Sequence, residues 1–240
     1  MKTLAMLKHN EIDPSKIFVF VADDVEYENY SRSTPRHLYG EMIIGIVGIV
    51  PQREFITDYF DEGVRIFTCD DDLESIDLSM TEQPNLDAFI RYAFSECDKQ
   101  GVHIFGIYPC YNPFFRQKRK AMTTTLTYLC GYCYGYINKK DAPVKLTVTR
   151  ENGEKEDFEK TVLYYMMDGK TLRFNRVAAK TKYYNTVGGL GTHASRIERA
   201  DKAVDLLVEK YIGYGVKKIR KNGMAEWLLK RKLRMDSFYD

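Results

Sequence analysis

The sequence predicts an α/β fold, a single layered domain with a mostly parallel central sheet flanked by helices. Three observations carry that expectation. Short apolar runs that read as buried strands alternate with helical patterns through the first half of the chain. The 240 residues, 44% hydrophobic and 29% charged, suffice to bury one large core. No internal repeat and no linker-like stretch divides the chain, so 1–240 reads as one unit with a first half at 1–122, a second at 123–215 and a basic, helical tail at 216–240.

The elements follow in order. "KIFVFVA" (16–22) is a buried-strand run, and the acidic "DDVEYENY" after it suits a helix. "EMIIGIVGIV" (41–50) supplies a second strand ending near Gly48. "PQREFITDYFDEG" opens with Pro51 at a first helical position and stops at Gly63. "VRIFTC" is a third strand. "PNLDAFIRYAFSECDKQG" is an amphipathic helix with Leu86, Phe89, Ile90, Ala93 and Phe94 on one face, and "VHIFGIYP" is a fourth strand halted by Pro109. Beyond residue 120 the rhythm changes. "TLTYLCGYCYGYI" (125–137) and "VKLTVT" (144–149) read as longer strands of a mixed or antiparallel part. "ENGEKEDFEKTVLYYMMDG" (151–169) reads as a helix stopped by Gly169, followed by "KTLRFN", "KTKYYNTVGGLG" and a long helix from about Ser195 to Tyr211.

Composition narrows the classes. No apolar run approaches the roughly 20 residues that span a bilayer, so no membrane partner is expected. "MKTLAMLKHNEID" has no small-residue cleavage site. Five cysteines in so long a chain suit a reducing compartment, the cytoplasm. The formal charge of +2 conceals basic stretches at 116–120 and 217–234, an expected footprint for a polyanion such as DNA, with Phe114, Phe115 and Trp227 among the charges as candidate stacking groups. The alternative is a solvated face balanced by acids elsewhere.

Asp70, Asp71 and Asp72 directly follow the third strand, and carboxylates this close raise one another's pKa unless a cation or hydrogen bonds compensate. Ligands in open α/β sheets bind beyond the carboxyl ends of strands, where such a group can hold a hard divalent cation against a diphosphate. In an extended segment Asp70 and Asp72 share a side and Asp71 points away. The plainer reading makes Asp72 the N-cap of a helix over "LESIDL". A second acidic cluster, Glu156, Asp157 and Glu159 in "KEDFEKT", suits a helix N-terminus through the dipole. In the functional reading one of them is a general base. Adjacent helical residues diverge by about 100 degrees, so one of Glu156 and Asp157 is expected to point into a site.

"GIVPQREFITDYFDEGVRIFTCDDDLESID" resembles the nucleotide-sugar half of a GT-A glycosyltransferase, in which an arginine-bearing helix precedes a strand ending in an Asp-X-Asp motif. "KTLAMLKHNEIDPSKIFVFVADDVEYENY", "FGIYPCYNPFF", "KEDFEKTVLYYMMDGKTLRFNRVAAKTKYYNTVGGLG" and the basic tail are similar, in that order, to the TET-associated glycosyltransferases of phages and large DNA viruses, and the resemblance covers most of the chain. It implies transfer from a nucleotide-diphosphate sugar, with Mn²⁺ or Mg²⁺ at Asp70 and Asp72, Asp71 on the ribose or sugar, and Arg53 on the donor. Glu156-Asp157 matches the motif that supplies the base in inverting members, here Asp157. Gly188, Gly189 and Gly191 would let backbone approach the ligand, and His193 would be an added metal ligand. The acceptor it implies is a hydroxymethylpyrimidine in DNA, the alternatives being a glycan acceptor or an inactive nucleic-acid-binding module. The resembled folds begin with a strand ahead of the helix that "KTLAMLKHNEID" resembles, and this sequence starts at the helix. Cys130 and Cys133 form a CxxC with no second pair at zinc spacing, so burial is their expected fate, and Cys69 reads as a small packed hydrophobe.

Overall fold

In a computed structural model the described residues are 1–140, 143–150, 153–181 and 193–230. They form a mixed α/β structure of six α-helices and eleven strands. The chain runs α1 (Lys2–His9), β1 (Phe18–Val21), α2 (Asp24–Ser33), β2 (Glu41–Ile44), α3 (Ile49–Tyr59), β3 (Arg65–Cys69), β4 (Leu73–Asp77), α4 (Leu86–Gln100) and β5 (Ile104–Ile107). Then follow β6 (Met122–Thr123), β7 (Cys133–Ile137), α5 (Glu156–Asp168), β8 (Leu172–Phe174), β9 (Ala178–Thr181), α6 (His193–Lys210), β10 (Gly215–Ile219) and β11 (Ala225–Leu229).

Local chemistry explains the boundaries. Asn85 caps α4 by accepting the Ala88 N–H at 2.9 Å, and Gly101 ends the helix at φ 63°, a left-handed conformation glycine adopts without strain. Gly169 ends α5 in the same way. Between them, α4 buries Phe89, Ala93 and Phe94 against Phe105, Leu172 and Phe174 of the central sheet. That sheet has the order β3-β7-β5-β8-β6. β3, β5 and β8 run one way, β7 and β6 the other, so the expected mostly parallel sheet is mixed. The reason lies in β7, which enters between β3 and β5 antiparallel to both.

β1 and β2 form a separate parallel pair. Helix α1 and the turn after it join the two layers, since Leu7 and Ile12 pack on both the main core and the Leu4–Ile17–Val19–Val21 cluster. Among the described residues the outer edge of β3 carries no paired strand. No helix among them is long and apolar enough to cross a membrane.

Several expectations change. Pro51 falls in the third position of α3, because Gly48 at φ 102° already turns the chain and β2 stops at Ile44. "LESID" is strand β4, paired antiparallel with β9, so Asp72 caps no helix. The strand expected at 125–137 is confined to Cys133–Ile137, and 144–149 is no strand. In that segment the Glu159 carboxylate takes the N–H groups of Thr147, Val148 and Thr149, meeting the backbone's needs without a ladder. The basic tail expected to be helical is the hairpin β10–β11 as far as it is described, because Ala225, Trp227 and Leu229 alternate inward at the period of a strand and Gly223 supplies a turn at φ 82°.

Candidate functional site

The ladder between β3 and β7 sets the site's position. Cys69 lies opposite Cys133, and the Asp70 N–H donates to the Tyr132 carbonyl at 2.9 Å, which puts the end of β3 beside the entry into β7. Asp70–Asp72 form the link from β3 to β4. The N-terminus of α1 holds this link: Thr3 donates its N–H to the Asp71 carbonyl and its hydroxyl to the Asp70 carbonyl, and accepts the Leu73 N–H. Asp72 accepts from the Thr181 hydroxyl of β9 at 2.7 Å. Asp71 lies against the Tyr30 phenol and contributes to raising its pKa, after burial.

Helix α5 presents its first turn to the same place. Arg53 of α3 spans the gap, with Nη1 at 2.7 Å from both Glu156 carboxylate oxygens, Nη2 at 2.8 Å from the Gly131 carbonyl, and Nη2 at 3.8 Å from Asp70. The acidic turn and the Glu-Asp helix, 86 residues apart in sequence, therefore meet on one guanidinium. Its side chain is only 10% exposed and stacks its cation over the Tyr134 ring at 5.5 Å.

Both Glu156 and Asp157 face this centre. A methyl group on Gly131 would lie 2.8 Å from the Glu156 carboxylate and 3.1 Å from Asp157 Cβ, so a glycine there is what lets the turn before β7 lie against the helix start. The divergence that was expected to admit only one of them is absorbed because Gly131 sits across the first turn, between the two directions. Glu156 is locked to Arg53. Asp157 accepts from the Tyr128 hydroxyl, from the Gly131 N–H at 3.3 Å and from the Phe158 N–H at 3.0 Å. The Tyr128 ring stacks on Phe158 with centroids 4.2 Å apart, which fixes the hydroxyl's aim.

Electrostatics follow from crowding. Burial raises Glu156 to about 7 and Asp70 to about 6, with neighbouring carboxylates adding to the shift and Arg53 opposing it. Asp70 shows this although 45% of its side chain is exposed. Lys160, one turn beyond Glu156, is lowered to about 8 by burial and by the Arg53 charge, and donates to the Tyr134 hydroxyl at 2.5 Å. A cavity of about 10 Å³, room for one water, is lined by Arg53, Gly131, Tyr134, Asp157, Lys160 and Thr161.

Among the described residues no three carboxylate, imidazole or thiol groups converge closely enough to hold a metal alone. The donor chemistry of Asp70 and Asp72 still fits a Mg²⁺-like ion, which typically takes one or two carboxylates and completes its shell with water and substrate phosphate. Gly188, Gly189 and Gly191 lie outside the described residues. His193 opens α6, and its side chain also lies outside them.

Four predicted polyanion contacts are corrected. Trp227 is fully buried with Tyr211 and Ala225, because the hairpin needs an apolar face to seat on α6. Arg116 is likewise inaccessible, tied to Asp77 and to the Arg176 and Tyr111 carbonyls. Lys217 is paired with Asp201 and Asp205, and Arg220 with Glu226. Arg231, Lys232 and Arg234 lie outside the described residues. Phe114 and Phe115 remain 64% and 51% exposed. Cys130 and Cys133 are buried, as expected from the strand pattern.

Sequence reasoning missed Thr3, Tyr128, Gly131, Tyr134 and Lys160. Lys160 alone had a legible signal, its i+4 spacing from Glu156 on one helical face. No protein-family model, curated protein or solved structure matches this chain.

Proposed function

We propose that the protein is a metal-dependent glycosyltransferase that moves a sugar from a nucleotide-diphosphate donor to a hydroxyl acceptor. The observation that carries the reading is the junction at Arg53, which sets Asp70 of the acidic turn beside the Glu156–Asp157 pair. Asp70 and Asp72 would hold Mn²⁺ or Mg²⁺, which when bound supplies positive charge to the leaving diphosphate. Asp157 takes the proton of the attacking hydroxyl. Tyr128 and the Gly131 N–H hold its carboxylate in one orientation, and Glu156, neutralised by Arg53, buttresses the helix start. Arg53, held in place by Glu156 and the Gly131 carbonyl, would offer its charge to donor phosphate bound beside Asp70.

For the acceptor we favour a hydroxymethylpyrimidine in DNA over a glycan. Tyr111, Phe114 and Phe115 are exposed on the segment after β5, together with Lys118 and Lys120, and that segment leaves the same end of the sheet as the acidic turn. Such a surface suits base stacking and phosphate contact. An inactive binding module is the reading left if no transfer occurs. The test is a thermal-shift screen of nucleoside diphosphates with and without Mn²⁺. A cation-dependent rise in melting temperature for one nucleotide is expected, because a ligand that binds only the native state stabilises it. No shift with any nucleotide sinks the donor assignment.

A further inference from the structure

Cys69 and Cys133 take no part in the chemistry above, yet they are register partners across β3 and β7 with sulfurs 3.9 Å apart. The Asp70 N–H donates to Tyr132 and the Asn138 N–H to Val64, which fixes the phase of the ladder. Residues 64, 66, 68 and 70 share hydrogen bonds with β7, so Cys69–Cys133 is a non-hydrogen-bonded pair. In such pairs the Cα atoms approach to about 4.5 Å, within the roughly 4.4–6.8 Å a disulfide bridges. Both thiols are free. Cys69 is half-buried and reachable, while Cys133 is enclosed. The strand they would fasten is an edge: among the described residues β3 pairs with β7 alone, and its end carries Asp70.

We propose that Cys69 and Cys133 form a reversible cross-strand disulfide under peroxide, clipping the edge strand that carries the acidic turn to β7. Peroxide oxidises the Cys69 thiol to a sulfenic acid and leaves one water. The Cys133 sulfur then attacks the sulfenic sulfur, the S–S bond forms as the S–O bond breaks, and the hydroxyl departs with the Cys133 proton as a second water. A small thiol reverses the bond by exchange. Burial, and then the Cys69 sulfur beside it, hold the Cys133 thiol well above its usual range. The competing partner is Cys130, the other half of the CxxC. Its Sγ points to the carbonyls of Ile107 and Cys133 at 3.7 and 3.9 Å, along the β5 side.

The full chain is treated with hydrogen peroxide, its remaining thiols are alkylated under denaturing conditions, and non-reduced peptides are mapped by mass spectrometry. The expected result is a Cys69–Cys133 linked pair, a fall from five alkylatable thiols to three, and reversal by a phosphine reductant. Hydrogen exchange at Ile66, Thr68 and Asp70, whose N–H groups face β7, should slow about tenfold in the linked form, and Cys133→Ser should abolish both the link and the slowing. A Cys130–Cys133 link overturns the assignment. So does Cys69 driven to sulfinic acid while Cys133 stays alkylatable. A Cys69–Cys133 link that leaves exchange at Ile66, Thr68 and Asp70 unchanged overturns the clip.

Discussion

Two acid-rich stretches of this chain have similar composition and opposite treatment. At the start of α5 every carboxylate meets donors supplied by the protein. Glu154 faces Arg196 and Arg199, Glu156 faces Arg53, and Asp157 takes Tyr128 and two backbone N–H groups. Glu159 takes three backbone N–H groups, two threonine hydroxyls and the Tyr211 hydroxyl, which together hold it below the usual carboxylate range despite burial. In the other stretch Asp72 takes the Thr181 hydroxyl and Asp71 the Tyr30 phenol, but the compensation of Asp70 is thin: the Arg53 guanidinium lies 3.8 Å away and the acid is pushed up to about 6. Acids compensated by the protein hold its structure together. An acid left under-compensated at a strand end, as Asp70 is, is where an outside cation gains most.

The largest effects should come from breaking the two clusters in different ways. Asp157→Asn keeps the shape of the side chain and removes the base, so sugar transfer should fall about 10²–10⁴-fold in a steady-state assay, with a modest fall in melting temperature because the amide NH2 meets a backbone N–H on either side. Asp72→Ala should lose transfer as well, and chelation should mimic it in the unmodified protein. Turnover that survives both Asp72→Ala and EDTA would falsify the metal role. Glu159→Ala should act on the fold alone. It leaves the Thr147–Thr149 N–H groups and the Tyr211 hydroxyl without their acceptor, for a loss of about 3 kcal/mol in urea unfolding.

The same contrast explains how far the sequence could be read. The helices were legible because their signals are local: Asn85 and Gly101 bracket α4, and Gly169 closes α5. The acidic turn was legible because three aspartates at the end of an apolar run are unusual on electrostatic grounds alone. The mixed sheet was not, because the direction of β7 depends on which neighbours it enters between, and nothing within "CYGYI" records that. The segment 144–149 misled because "VKLTVT" has strand composition, while Glu159, ten residues or more away, satisfies its backbone instead. The basic hairpin misled for a related reason. Charge can be counted in a sequence, but the partners that cancel it, Asp201 and Asp205 for Lys217, belong to another element. Tyr128 and Gly131 matter only through their distance to Asp157, which no spacing in the chain encodes.

A smaller effect separates Arg53 from its buried neighbour. Lys160 is lowered to about 8 in the fold, against about 10.4 when unfolded. Between those values the unfolded chain binds more protons, so stability should rise with pH over roughly 8–10. Lys160→Met should remove about 1–2 kcal/mol of that rise in unfolding measured across the window. An unchanged slope would mean that the lysine is already solvated beside Tyr134.

The smallest effect carries the sharpest sign. Asp70 is raised by burial and by its neighbours, so ionising it costs more in the fold than in the unfolded chain. Asp70→Asn should therefore stabilise the metal-free protein, where Glu159→Ala destabilises it. With nearly half the side chain exposed, screening holds the gain below about 1 kcal/mol. The ionised form is disfavoured only above the unfolded pKa, so the gain should be absent below about pH 4 and grow as pH rises through about 6. Adding Mn²⁺ should reverse the ranking, because the native aspartate then binds the cation and the amide binds it weakly. Urea titrations of the two proteins at pH 4 and pH 7, each with and without Mn²⁺, read all of these signs. If Asp70→Asn instead weakens the metal-free protein at pH 7, then Arg53 fully compensates the turn, and the contrast between the two acidic clusters disappears.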